Sequence, residues 1–137
     1  RQRQMCIRDR DVCKWQQADV FDYLRRAREA GDTYDLIILD PPKFASSHYH
    51  VDRAARAYKD INLNGLRLLR AGGQLLTFSC SGAIDTDLFQ KIVAGAVIDS
   101  RRQAWALSRF GAGVDHPLLM TFPEGEYLKG LHLKLCD

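Results

Sequence analysis

No apolar run in the 137-residue chain reaches the ~18 residues that a membrane-spanning helix requires, and no charged-then-apolar signal segment opens it. Cysteine is sparse as well: Cys6, Cys13, Cys80 and Cys136 show no CxxC and no Cys/His ligand spacing. That argues against a zinc site and a disulfide framework and suits a reducing cytoplasm, with neither metal nor membrane expected as a partner. An excess of one charge is also missing. The net charge is +3, but four of the 20 basic residues and one of the 17 acidic ones lie in residues 1–10, leaving 16 of each elsewhere. Bulk electrostatics therefore leaves no nucleic-acid footprint. The clusters Arg25, Arg26, Arg28 and Arg101, Arg102 read as solvated faces. Repeats, low-complexity tracts and flexible linkers are absent too. Residues 1–10 (RQRQMCIRDR) have no apolar periodicity and read as an artefact or a disordered leader, set aside from the fold.

What is present is an alternation of strand and helix patterns. Residues 12–18 form a weak strand candidate. Asp19 reads as a helix N-cap, followed by Phe21, Leu24 and Ala27 at helical spacing, with Gly31 as the stop. Residues 34–40 (YDLIILD) are nearly all apolar, the pattern of a central parallel strand, and Pro41-Pro42 ends it because neither can donate to a ladder. A helix is expected over 53–70, with Ala54, Ala57, Tyr58, Ile61, Gly65 and Leu68 on one face. Ala71-Gly72-Gly73 then turns the chain into a strand at 74–79. A second helix over 85–100 carries Leu88, Ile92 and Ala96 in register, and a strand follows at 103–110. The end reads as a hairpin of 118–122 and 128–135 about Pro123-Glu124-Gly125. Leu131, Leu133 and Leu135 lie on one side of it, with His132 and Lys134 opposite. The order predicts an α/β fold, a doubly wound, mostly parallel sheet with an antiparallel C-terminal strand.

Strand 34–40, the following helix and strand 74–79 form one βαβ unit. Asp40 and Cys80 thus end neighbouring strands about 4.8 Å apart, on the rim where open α/β sheets bind ligands. Cys80, between two serines in LLTFSCSG, is open to two readings: a small packing group or a working thiol. Asp40-Pro41-Pro42-Lys43-Phe44 resembles the fourth motif of Rossmann-like S-adenosylmethionine-dependent methyltransferases, whose Asp-Pro-Pro loop holds the target base. A strand-ending turn with a surface Asp fits that pentapeptide equally well.

The longer text DPPKF, RAYKDINLNGLRLLRAGGQLLTFSCSG, DLFQKI, DHP and FPEGEYLKG closely resembles the RlmI family, enzymes that form 5-methylcytosine in large-subunit ribosomal RNA. The resemblance runs from about Trp15 to the C-terminus. It implies that Cys80 is a nucleophile adding to carbon 6 of an extruded cytosine, so that carbon 5 can attack the sulfonium methyl of S-adenosylmethionine. It further implies that Asp40 hydrogen-bonds the ring nitrogen and exocyclic amine, that Pro41 and Pro42 shape the slot, with Pro41 also beside the cofactor, and that Phe44 stacks on the base. Lys43 becomes a phosphate or base contact. The Ser81-Gly82 segment and the next helix would favour the thiolate. Asp19-Val20-Phe21 resembles the third motif, in which Asp19 and Val20 meet the cofactor's adenine. Arg56, Tyr58, Lys59, Asp60 and Asn62 match the family pattern, with Tyr58 and Ile61 as core and Arg56 and Lys59 toward RNA.

Other features carry less. Asp115-His116-Pro117 reads as a turn, and His48 and His50 as surface residues without metal partners. Gly111-Ala112-Gly113 fits GxG, but no helix pattern leads out of it. The Gly-rich loop and the acid that this cofactor's methionine and ribose need are not in the sequence, nor is the family's N-terminal RNA-binding domain of the PUA type. Residues 11–137 are therefore expected to be the C-terminal part of a catalytic domain lacking its first strands, and inactive alone. A base-nitrogen (guanine) methyltransferase of the same fold would need no thiol, and a non-catalytic α/β module would merely pack it.

Overall fold

The computed structural model describes residues 12–44 and 50–137; the leader 1–10 and His48 lie outside them. The element order is α1 (Val20–Ala30), β1 (Tyr34–Leu39), α2 (Val51–Leu68), β2 (Leu69–Ser79), α3 (Thr86–Ser100), β3 (Ala104–Phe110), a short 3-10 helix (Pro123–Gly125) and β4 (Lys129–Leu135). The strands lie in the order β1-β2-β4-β3. β1 and β2 are parallel, and β4 is antiparallel to both β2 and β3, so three strands point one way and β4 runs back between them.

Local signals set the helix ends. Asp19 caps α1 by accepting from Asp22 N at 3.0 Å, and Gly31 closes it in the left-handed region at φ 75°. Asp85 caps α3 in the same way, accepting from Leu88 N at 2.7 Å. The expected turn at Ala71-Gly72-Gly73 is a bulge inside β2. The partner of Tyr34 is Leu69 while that of Leu36 is Gln74, and Gly72 takes a φ of 69°.

α2 packs against α1 on one side and α3 on the other while covering β1 and β2, so the helices form one layer. Beneath them lie Leu39, Tyr58, Ile61, Leu66, Leu75, Phe89, Val93, Leu131 and Leu133. The opposite face of the sheet is bare: Leu36 is 50% exposed, Ile38 60% and Trp105 70%. This is one half of a doubly wound arrangement.

Two expected strands are not formed. Residues 12–18 are irregular, and β1 is left as the sheet's edge. A strand needs a partner, and among the described residues none pairs with this one. Residues 118–122 are turns with Leu119, Met120 and Phe122 exposed. β4 finds its partners in β2 and β3 instead of a hairpin mate. Among the described residues no helix is long and apolar enough to cross a membrane, and no cluster of acidic, His and Cys side chains could hold a metal ion.

Candidate active site

The carboxyl ends of β1 and β2 carry the two motifs. Leu39 is the register partner of Thr77. Cys80 therefore lies two residues farther along than Asp40, roughly 7 Å along the strands besides the 4.8 Å between them. The two side chains are thus offset along the strands and not directly opposite, as the sequence spacing alone suggested. Asp40, Pro42 and Lys43 are exposed, Pro41 is buried, and Cys80 is half-buried with a free thiol.

Beneath the loops, Tyr58 of α2 joins them. Its ring meets Phe44 edge-on at 4.8 Å between centroids and Phe89 at 5.9 Å. Its buried hydroxyl lies beside Ser79, Ser81 and the Phe44 backbone without closing a full hydrogen bond to them. Burial raises the Tyr58 pKa above the usual phenolic value, with the nearby Ser79 hydroxyl opposing that rise. Phe44, expected to stack on a base, is half-buried between Tyr58 and Phe21, the latter at 6.0 Å. The Phe21 contact brings the first turn of α1, and with it Asp19 and Val20, to the same end of the sheet. Asp19 spends one oxygen on its helix cap and lines a cavity of about 420 Å³ with Gln16, Asp22 and Arg26.

The thiol's surroundings are set by the turn that follows it. α3 begins only at Thr86, and the capping carboxylate of Asp85 stands at its start. Between Cys80 and that helix a turn intervenes, with Ser81 N donating to Ser79 Oγ at 3.3 Å and Ile84 N to Ser81 O at 3.1 Å. The positive charge comes from Lys129, a residue that sequence reasoning missed. Lys129 is 7% exposed, and its Nζ donates to the carbonyls of Ser81, at 2.7 Å, and Ile84. Burial pushes its pKa down, opposed by the charges of Asp85 and Cys80, with Lys43 adding to the depression. A signal existed: the alternation that places Leu131, Leu133 and Leu135 inside, continued back by two, puts Lys129 inside as well. Lys129 also lines a cavity of about 490 Å³ with Gly82, Asp85, Arg109, Phe110 and Glu126.

Other expected residues are placed plainly. Lys59 pairs with Asp99 of α3 at 2.8 Å, and Arg56 donates to the carbonyl of Asp52, so both have partners within the fold. Ile61 and Asn62 are buried. His116 is exposed in a turn whose N–H donates to Gly113 O, and Gly111-Ala112-Gly113 follows β3 without opening a helix.

The sheet order, its reversed last strand and the two rim motifs define a Rossmann-like methyltransferase fold. Two solved structures match 85% of the chain at TM-score 0.70 and 25% identity. One is SMU.776, described as a methyltransferase and complexed with SAH, with 30% of its chain covered. The other is described as a SAM-dependent methyltransferase from Streptococcus mutans, with 29% covered. Over 121 residues, 88% of its length, the chain is a homologue of Ribosomal RNA large subunit methyltransferase I of Shewanella frigidimarina at 51% identity. It is likewise a homologue of the protein so named in Shewanella amazonensis at 52%. It spans about 30% of the length of these curated relatives. No protein-family model matches it.

Proposed function

We propose that this chain supplies the base-holding and nucleophilic rim of an S-adenosylmethionine-dependent methyltransferase that modifies carbon 5 of cytosine in large-subunit ribosomal RNA. One observation carries the reading. An Asp-Pro-Pro loop and a free, half-buried thiol end two neighbouring parallel strands, and the relatives sharing half the sequence are named as ribosomal RNA methyltransferases.

Carbon 5 of cytosine is a weak nucleophile. The Cys80 thiolate adds to carbon 6, and the displaced π electrons make carbon 5 electron-rich. Ring nitrogen 3 takes up a proton from solvent as this charge develops. The Asp40 carboxylate accepts hydrogen bonds from that N–H and from the exocyclic amine, holding the charge distribution in place. Pro41 and Pro42 set the wall of the slot, and Lys43 reaches the nucleotide's phosphate or base edge. Phe44 and Tyr58 support the loop from below. S-adenosylmethionine, when bound, supplies the electrophilic methyl group. Once carbon 5 carries the methyl group, loss of its proton to solvent re-forms the carbon 5–carbon 6 double bond and expels the Cys80 thiolate. Nitrogen 3 returns its proton to solvent.

The residues present fit one end of the cofactor. Asp19 keeps one carboxylate oxygen free of its helix cap to accept from the adenine amine, and Val20 and Pro41 lie at the same end of the sheet. Among the described residues no glycine-rich loop opens a helix. The chain by itself accordingly binds S-adenosylmethionine weakly and does not turn over.

The test is a chimera in which the matching 121 residues of the Shewanella frigidimarina relative are replaced by those of this chain. Transfer of labelled methyl to carbon 5 of ribosomal RNA cytosine, abolished by Cys80→Ala, is expected. Transfer that survives Cys80→Ala, or that falls on a base nitrogen, would replace this reading with that of a nitrogen methyltransferase.

A further inference from the structure

Lys129 is a buried charged residue of the rim for which the reaction above has no use. Its ammonium is buried, which costs stability unless something offsets it. Among the described residues it forms no ion pair with a carboxylate; its hydrogen bonds go to the backbone carbonyls of Ser81 and Ile84. Those carbonyls belong to the turn that leaves Cys80. The titratable groups about it come from its neighbouring elements: Cys80 at the end of β2, Asp85 at the start of α3 and Lys43 in the Asp-Pro-Pro loop. Arg109 and Glu126 stand across the adjoining cavity. A methionine of similar volume would fill the space without the desolvation penalty, so packing alone does not account for the charge.

We propose that Lys129 is a positioning residue for Cys80, fixing the Ser81–Ile84 turn through two carbonyls and setting a buried positive charge beside the thiol so that its anion is favoured. The charge stands where a helix N-terminus was expected, a role that α3 cannot fill because it starts six residues on behind a capping carboxylate. Ser81 O accepts from both Lys129 Nζ and Ile84 N. The backbone that presents the sulfur is thereby held from two sides. The inference deepens the reading of Cys80 as nucleophile, but its test uses neither RNA nor cofactor, so the two fail separately.

The experiment is alkylation of Cys80 by iodoacetamide in this chain as a function of pH, with Cys6, Cys13 and Cys136 replaced by Ser and the site confirmed by peptide mass spectrometry. K129M is expected to slow the reaction at neutral pH about tenfold and to move its rate profile to higher pH. K129R, which keeps the charge, restores the wild-type profile. K129Q decides if K129M fails to fold. It keeps hydrogen-bond donors for the two carbonyls without the charge, and is expected to react as slowly as K129M. Wild-type rates and pH profile in folded K129Q or K129M would overturn the proposal, as would a K129R profile matching that of K129Q.

Discussion

The rings of Phe44 and Tyr58 meet edge-on with their centroids 4.8 Å apart, and this contact joins the Asp-Pro-Pro loop to α2, whose Tyr58 hydroxyl lies beside Ser79 at the end of β2. Tyr58→Ala removes the ring that both loops rest on. A loss of about 3–5 kcal/mol in urea unfolding is expected, together with faster alkylation of Cys80 as its turn loosens. Tyr58→Phe keeps the ring and removes only a buried hydroxyl that closes no full hydrogen bond, so its effect stays within about 1 kcal/mol.

On the bare face of the sheet, Gly130 makes room for two aromatic rings. A methyl group there would stand 2.5 Å from the Phe78 ring and 3.2 Å from Phe110 Cβ, within the stack Phe78–Phe110–His132. Gly130→Ala is expected to cost about 1–3 kcal/mol by overpacking. Adding Phe78→Leu should recover part of that loss, so a double-mutant cycle checks the cause.

Asp19 has two tasks that substitution can separate. Asp19→Ala loses the cap to Asp22 N and about 1 kcal/mol of stability. Asp19→Ser keeps a capping oxygen and most of that stability. In the chimera Asp19→Ser is still expected to weaken S-adenosylmethionine binding by calorimetry. Unchanged affinity would leave Asp19 with the helix cap alone.

These predictions follow the line between what local chemistry reveals and what needs the tertiary structure. The bounds of α1 were legible because Asp19 and Gly31 act within one turn of themselves. The end of β1 was legible because two prolines cannot extend a ladder. Residues 12–18 and 118–122 have strand composition, but a strand exists only with a partner, and no partner is visible in its own sequence. The position of Cys80 was legible, but its surroundings were not. The positive charge near it comes from 49 positions downstream, brought there by the antiparallel pairing of Ser79 with Lys129.

Alkaline titration reports on the other end of β1. Tyr34 shares a hydrogen bond with Tyr23, 3.1 Å between hydroxyl oxygens, and this together with partial burial pushes its pKa up to about 12. A phenol whose folded pKa is raised contributes stability that is intact below pH 10 and is lost as pH rises toward 12. Tyr34→Phe should remove that segment from the pH dependence of unfolding. Ultraviolet titration should show one fewer tyrosine ionising late.

The most direct measurement is intact mass spectrometry of the chimera incubated with S-adenosylmethionine and a ribosomal RNA fragment containing 5-fluorocytosine. Fluorine cannot leave carbon 5 as a proton does, so the cysteine should remain bonded to carbon 6 of the methylated base. The account predicts a stable protein–RNA adduct carrying one added methyl, mapped to Cys80 and absent in Cys80→Ala. Methylation of the unsubstituted RNA by the same chimera, with no adduct at Cys80 on the fluorinated one, would contradict it.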